Sequence, residues 1–219
     1  MSENKYGEKM GRVGVIGRFK PLHLGGARML DAICEHATEV IIGIGSSNRY
    51  GLRSPFTVEE TEGMLRAYLE PRYTNFTIIP VPDYGHVKKY ADGKKWVENT
   101  VRLYGALDVF VSGNPYVTKL LAPHYTIIHP ATLIPKENHI MLCATDVRQA
   151  MARHQEKEWR TLVPNEVASY LDSHGLVERF RKEFGLETLA RGAQPIYRVM
   201  DELAYEQKNI IGSASSANG

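Results

Sequence analysis

Short apolar runs alternate with segments of helical periodicity over the first 130 residues. The run 12-RVGVIG-17 predicts a strand, and 24-LGGARMLDAICEHA-37 predicts a helix that carries Leu30, Ile33 and Cys34 on one face. The same reasoning predicts strands over 39–45, 75–81, 107–113 and 125–129, and helices over 57–69, over 94–105 and from Asn114. Thr57 and Glu60 have the spacing of a capping box, which fixes the start of the second helix.

Continuous apolar strands separated by helices are typical of a parallel sheet that is covered on both faces. The predicted fold class is therefore α/β, a Rossmann-like doubly wound parallel sheet of about five strands with a C-terminal helical extension. Ligands bind such sheets at the carboxyl ends of the strands. This rule places the loops that begin at Gly17, Gly45, Val81 and Ser112 along one rim.

The pattern becomes wholly helical after about residue 140. Helices are predicted over 144–154, with Thr145 as N-cap, and over 164–175, which opens with proline and closes with glycine. The run 177–184 is interpreted as a solvated helix face. A last helix is predicted over 195–207, and it has an apolar stripe. The stripe packs on its own domain, docks on a partner, or docks on a second copy to give a homo-oligomer. The tail 212–219 is expected to be disordered. The domain boundaries follow: a flexible N-terminus 1–11, a main domain 12–185 and an extension 186–219.

Composition narrows the class of protein without deciding it. Charged residues make up 24% and hydrophobic residues 43%, as in ordinary globular proteins. The net charge of +2 does not argue for a nucleic-acid partner. Two cysteines without ligand or disulfide spacing, no signal peptide and no membrane-length apolar run together predict a cytoplasmic protein without a membrane partner.

The stretch 17-GRFKPLHLGGARML-30 has the composition of a phosphate site at the start of a helix. Glycines at 17, 25 and 26 permit close approach of the backbone, and His23 comes just before the helix. The cations Arg18, Lys20 and Arg28 add positive charge nearby. Taken alone, the stretch fits equally well a tight turn with a surface histidine.

The whole stretch resembles the G-x-F-x-P-x-H-x-G-H signature of the nucleotidylyltransferase superfamily. Seven later stretches, in the same order, resemble its nicotinamide-nucleotide adenylyltransferase branch, above all the archaeal type. They are 42-IGIGSSN-48, 55-PFT-57, 80-PVPD-83, Trp96 with Val97, 112-SGNP-115, 143-CATDVR-148 and 162-LVPNEVASYL-171.

The resemblance implies an enzyme that transfers AMP from ATP to a pyridine mononucleotide and releases pyrophosphate. Magnesium would arrive with ATP, because no carboxylate cage is visible in the sequence. His23, Lys20 and Arg148 are the candidate catalytic residues. The candidate ATP-binding residues are Gly17, Arg18, Phe19, His23, Gly25, Gly26, Gly113, Asn114, Thr145 and Arg148, and the candidate acceptor-binding residues are Ser46, Ser47, Asn48, Asp83 and Trp96.

Plainer roles stay open for several of these residues. Trp96 also fits a core position of an amphipathic helix, residues 46–48 also fit a polar loop, and Arg148 also fits a solvated helix arginine.

The chain also departs from the family pattern. Gly26 replaces the second histidine of the signature, Lys20 replaces a glutamine, and Thr61 replaces a frequent arginine. The loop 84–95 is longer and more basic than the resemblance predicts. Three interpretations remain: Lys20 or Arg28 supplies the missing charge to a working enzyme, the pocket serves another nucleotide or acceptor, or the protein binds nucleotide without turning it over.

Overall fold

The computed structural model describes residues 9–192. Its sheet has five parallel strands in the order β3-β2-β1-β4-β5, which confirms the predicted fold class. The strands are β1 (Met10–Gly17), β2 (Ala37–Gly45), β3 (Phe76–Val81), β4 (Val109–Val111) and β5 (Ile127–Ile128). The first two strands begin two residues earlier than predicted, and the last two are shorter.

Helices connect the strands and continue after the sheet. They are α1 (Leu24–His36), α2 (Val58–Leu69), α3 (Lys94–Tyr104), α4 (Pro115–Leu121), α5 (Ala144–Ala152), α6 (Glu156–Thr161), α7 (Asn165–Ser173), α8 (Leu176–Phe180) and α9 (Leu186–Gly192). Helix α6 was not predicted, because its sequence EKEWRT has too few apolar positions to show a period. None of the helices within residues 9–192 is long and apolar enough to cross a bilayer.

Two apolar clusters cover the two faces of the sheet. The larger cluster packs α1, α2 and the C-terminal helices against one face, where Ile42 and Ile44 of β2 are buried. The smaller cluster packs α3 and α4 against the other face, where Ile41 is buried. Because successive strand residues point to opposite faces, a strand buried on both sides has to be apolar throughout.

The sheet leaves room for one large side chain from α3. The hydroxyl of Tyr104 donates to the backbone carbonyl of Val15 over 2.8 Å. A Cβ atom at Gly43 would lie 2.0 Å from that hydroxyl oxygen, so glycine is required at this close approach.

The capping residues explain where the helices of the site begin. Thr57 and Glu60 form the predicted capping box, with backbone-to-side-chain distances of 2.9 and 3.2 Å. The prediction of Thr145 as N-cap of α5 was wrong, because the helix begins at Ala144 and its N-cap is Cys143, two residues before Thr145. The Cys143 N–H donates to the carboxylate of Asp146 over 2.8 Å.

The run 177–184 is amphipathic, so its interpretation as a solvated face holds for Glu178, Lys182 and Glu183 but not for its other side. Val177 and Phe180 are buried in the larger cluster, and Arg181 binds the carboxylates of Glu156 and Glu178. A π-helical turn over Arg181–Gly185 joins α8 directly to α9, where Thr188 is buried. The boundary at residue 185 and the flexible N-terminus stay predictions, and the helix over 195–207 and the tail 212–219 lie outside the described residues.

Candidate functional site

The loop after β1 folds tightly over its own glycine. Phe19 has a positive φ of 51°, which is uncommon for a residue other than glycine, and its buried ring lies over Gly17. A Cβ atom at Gly17 would lie 2.6 Å from the ring. The side chain of Phe19 therefore leaves no room for a side chain at position 17, and a role of Gly17 in ATP binding stays a prediction.

His23 is the N-cap residue of α1. Its Nδ1 accepts from the Gly26 N–H over 3.3 Å. Burial lowers the pKa of His23 to about 4, with a further lowering by Arg148 and an opposing effect of Asp146. The imidazole is therefore neutral at physiological pH, and its proton lies on Nε2.

The two glycines after His23 differ in what surrounds them. A Cβ atom at Gly25 would lie 3.2 Å from the carbonyl oxygen of Ile140, which belongs to the segment before α5. A Cβ atom at Gly26 would lie 3.3 Å from Leu22 Cδ1 and 3.9 Å from His23 Nε2. Position 26 therefore faces the protonated nitrogen of His23, and Gly26 leaves that side without a second donor.

Arg148 joins α5 to the loop after β1. Its Nη1 donates to the carbonyl of Lys20 over 2.9 Å and its Nη2 donates to Thr145 Oγ1 over 3.0 Å. Only 8% of Arg148 is exposed, which excludes the reading as a solvated helix arginine. The guanidinium lies close enough to His23 to influence its pKa, so the structure brings these two predicted residues together.

The Lys20 side chain points away from the start of α1 and into the loop after β2. Its Nζ lies 3.4 Å from the carbonyl oxygens of both Ser46 and Arg49. The side chain is fully buried. Burial lowers the pKa of Lys20 to about 8, and the positive charge of Arg18 lowers it further, against the carboxylates of Glu59 and Glu60.

The polar residues predicted for the acceptor meet at the ends of β2 and β3. Asn48 exchanges two hydrogen bonds with the backbone of Asp83, at 2.9 and 2.7 Å, and Ser46 Oγ donates to the Asp83 carboxylate over 3.4 Å. Ser47 joins the same edge through its N–H, which donates to the carbonyl of Val81 over 3.2 Å. These residues therefore form one hydrogen-bonded cluster, and both their role in acceptor binding and the alternative of a plain polar loop stay predictions.

Trp96 has a more ordinary position. It is partly buried and packs against the smaller apolar cluster, as the alternative of a core residue predicts. Nothing in its surroundings marks it as a stacking platform, so a role in acceptor binding stays a prediction.

The loop after β4 completes the rim. Asn114 caps α4, because its Oδ1 accepts from the Tyr116 N–H over 2.9 Å. A Cβ atom at Gly113 would lie 3.3 Å from His129 Nε2, so this loop lies against the end of β5. His129 and Ile140 were not predicted; neither a lone histidine nor a backbone carbonyl has a sequence signal.

Within residues 9–192 no group of three or more His, Cys, Asp and Glu side chains is arranged to hold a metal ion. The divalent cation expected with ATP therefore has no carboxylate or histidine cage in this part of the chain. The expectation that the protein itself holds no metal ion stays a prediction.

The position of these polar groups defines the class of protein. Strands β1 and β4 are neighbours, but α1 and α4 leave them on opposite faces, and this opens a crevice at their carboxyl ends. His23 and the start of α1 directly follow the loop after β1, and Arg148 contacts that loop, so these groups lie at the end of the sheet where α/β domains bind nucleotide phosphates. The sequence profile described as cytidylyltransferase-like matches residues 15–212, and the chain belongs to that family.

Curated relatives agree with this family. Proteins named nicotinamide-nucleotide adenylyltransferase are similar over most of their length. The protein from Methanosphaerula palustris is 31% identical over 177 residues, which are 80% of this chain and 99% of that protein. The protein from Thermococcus onnurineus is 33% identical over 173 residues, which are 76% of this chain and 84% of that protein. The resemblance to the archaeal branch is thereby confirmed.

Solved structures agree on the fold. A bifunctional NMN adenylyltransferase/ADP ribose pyrophosphatase from Francisella tularensis, complexed with AMP and manganese, has a TM-score of 0.58 at 18% identity. The match covers 80% of this chain, which spans about half (52%) of that protein. A nicotinic acid mononucleotide adenylyltransferase from Plasmodium falciparum has a TM-score of 0.51 at 11% identity, over 77% of this chain and 98% of that one.

Proposed function

We propose that the protein transfers AMP from ATP to a pyridine mononucleotide, either nicotinamide or nicotinate mononucleotide, and releases pyrophosphate. The observation that carries this proposal is the neutral His23 at the start of α1, with Nδ1 occupied by the Gly26 N–H and Nε2 left as a donor. The relatives that match over nearly their whole length carry the name of this activity.

In this reaction a phosphate oxygen of the acceptor attacks the α-phosphorus of ATP. The bond from that phosphorus to the bridging oxygen breaks, and pyrophosphate leaves with the electron pair. Negative charge therefore moves toward the β- and γ-phosphates, and catalysis depends on donors that are already aimed at them. His23 Nε2, the Gly25 N–H at the start of α1 and Arg148 are the donors that we assign to this task.

Magnesium, when bound to ATP, would neutralise part of the phosphate charge. No cage of acidic side chains or histidines holds a metal within residues 9–192, so we assign no protein ligand to it. Thr145 contributes indirectly, because its hydroxyl accepts from Arg148 and fixes the guanidinium.

The cluster of Ser46, Ser47, Asn48 and Asp83 is the proposed acceptor site. It lies at the ends of β2 and β3, on the same rim as the start of α1, and its members hold one another through the bonds between Asn48 and Asp83. A set of polar groups fixed in this way can bind ribose or phosphate without first being ordered.

A second candidate function is nucleotide binding with slow turnover or a related transfer to another phosphorylated acceptor. The observation that favours it is Gly26, which puts no donor beside His23 Nε2, while the Lys20 ammonium lies on loop carbonyls. The loss of one such donor costs about 10²–10³-fold in rate.

The test incubates the full chain with ATP, Mg²⁺ and either mononucleotide, and measures the dinucleotide and pyrophosphate. Product with either acceptor supports the proposal, and His23→Ala should then lose about 10²-fold or more in kcat. No product with either acceptor refutes it. Pyrophosphate release with another phosphorylated compound would point to the related transfer, and ATP binding without any release would point to a binding protein.

A further inference from the structure

One residue, Lys20, connects the loop after β1 with helix α5 and with the turn after β2. The backbone carbonyl of Lys20 accepts from Arg148 at the start of α5, and its side chain crosses to the turn after β2. That turn carries Ser46 and Asn48, which belong to the proposed acceptor cluster. The side chain of Lys20 thus links the loop after β1 to the acceptor side of the rim.

The turn that Lys20 contacts has a conformation that needs support. Ser46 has a positive φ of 52°, and residues other than glycine hold this conformation only where the surroundings impose it. The Arg49 N–H donates to the carbonyl of Ser46 over 3.0 Å, and the Lys20 ammonium lies 3.4 Å from that same carbonyl and from the carbonyl of Arg49. The ammonium therefore stabilises the turn from its buried side, where it contacts both carbonyls.

The outer part of this loop is held separately. Tyr50 binds the carboxylate of Glu183, and Arg179 donates to the carbonyl of Pro55 over 3.2 Å while it also binds Glu60. These contacts come from the C-terminal helices and do not involve Lys20. Loss of the Lys20 ammonium should accordingly loosen the turn 46–49 and leave residues 50–55 anchored.

We propose that Lys20 is a positioning residue for the acceptor site, which holds the turn 46–49 through its ammonium group and does not replace the missing histidine on the ATP phosphates. This proposal rests on the proposed function. It corrects the expectation that Lys20 supplies charge to the phosphates, because its Nζ lies on the carbonyls of Ser46 and Arg49.

The charge on Lys20 depends on groups from several elements. Arg18 on the same loop disfavours the ammonium, whereas Glu59 and Glu60 of α2 favour it, and Glu60 is itself bound by Arg179. Since burial brings the pKa of Lys20 to about 8, the ammonium is present at pH 7 and is lost toward pH 9.

The test compares Lys20→Met and Lys20→Gln with Lys157→Met, a control on an exposed lysine of α6. Hydrogen exchange without substrates should become about tenfold faster in the turn 46–49 of Lys20→Met and stay unchanged in 50–55. In steady-state kinetics the KM for the acceptor should rise about tenfold, with kcat and the KM for ATP changed less than about threefold. Lys20→Gln, which can still donate to one carbonyl, should give intermediate values.

The pH dependence of the acceptor KM distinguishes an effect of the Lys20 charge from a purely structural role of this residue. In the unmodified protein the acceptor KM should rise between pH 7 and 9, and in Lys20→Met it should be flat. A fall in kcat of about 10²-fold with unchanged exchange and unchanged acceptor KM would overturn the proposal and return Lys20 to the phosphates.

The proposal for Lys20 can still be tested if a variant does not fold or if the protein shows no activity. If Lys20→Met does not fold, Lys20→Gln and the pH profile of the unmodified protein decide. If no variant turns over the pyridine mononucleotides, the proposed function fails, but hydrogen exchange still decides whether Lys20 holds the turn, since unchanged exchange in 46–49 refutes it.

Discussion

The space beside His23 allows a direct test of what Gly26 does. A histidine at position 26 would begin from a Cβ atom 3.9 Å from His23 Nε2, an ordinary contact distance, and 3.3 Å from Leu22 Cδ1. To admit this Cβ atom, only the end of the Leu22 side chain has to move, by a few tenths of an ångström. Side chains in helices point back toward the N-terminus, so the new imidazole would face the same crevice as His23.

The expected change in kcat for Gly26→His follows from the number of hydrogen-bond donors at the phosphates. If His23, Arg148 and the start of α1 already bind the leaving phosphates, Gly26→His adds one donor that acts mainly in the transition state. One such donor is worth about 10²-fold in kcat, or about 2.7 kcal/mol. We therefore expect kcat to rise by about that factor, with a much smaller change in the KM for ATP.

The assay measures pyrophosphate release at saturating ATP, Mg²⁺ and acceptor. Gly26→Ala is the matched control, because it adds the same Cβ atom without a donor; it should leave kcat within about threefold and stabilise α1 by up to about 1 kcal/mol. If Gly26→His gains nothing while it folds and binds ATP like Gly26→Ala, the inference that the site lacks a donor is refuted.

Three further outcomes are expected. Burial lowers the pKa of His23 to about 4, so between pH 6.5 and 4 the unfolded chain binds more protons than the folded protein. The contribution of His23 to the free energy of unfolding is therefore lost as the pH falls through this window. In denaturation experiments at different pH values, His23→Asn should lose less of its free energy of unfolding over the same window. Arg148→Met should lower kcat/KM for ATP by about 10–100-fold, whereas Thr145→Val, which removes one contact of that guanidinium, should cost less than about tenfold; equal effects would contradict a direct role of the arginine. Arg179→Met leaves the half-buried carboxylate of Glu60 without its ion pair and should cost about 2 kcal/mol in chemical denaturation, and an unchanged midpoint would show that the pair is not stabilising.

The fold could be predicted from the sequence because strands and helix starts are marked by residues close together in the chain. Continuous apolar runs identify the strands, and the capping box of Thr57 and Glu60 fixes α2 to the residue. The errors have local causes too. Cys143 has no capping propensity, so Thr145 was predicted as the N-cap instead. The arginines of 177–184 favoured a solvent-exposed face, although Arg181 is bound by two carboxylates.

The sequence predicted which residues approach one rim of the sheet, but not how their side chains are arranged there. The order of the motifs brought His23, Arg148 and the 46–48 loop into one set, and the structure brings them to one rim. The direction of the Lys20 side chain depends on two backbone carbonyls from the turn after β2, which leave no trace in the sequence. The approach of the Ile140 carbonyl to Gly25 is of the same kind.

The bond between Arg148 and the carbonyl of Lys20 joins positions 128 residues apart, and this has a consequence for the order of assembly. All five strands end by residue 128, so a nascent chain that ends before α5 contains every strand of the sheet. Such a chain has the start of α1 but neither Arg148 nor the packing of α5 beside it. If Arg148 binds the ATP phosphates as proposed, that part of the site is completed only when the C-terminal helices dock.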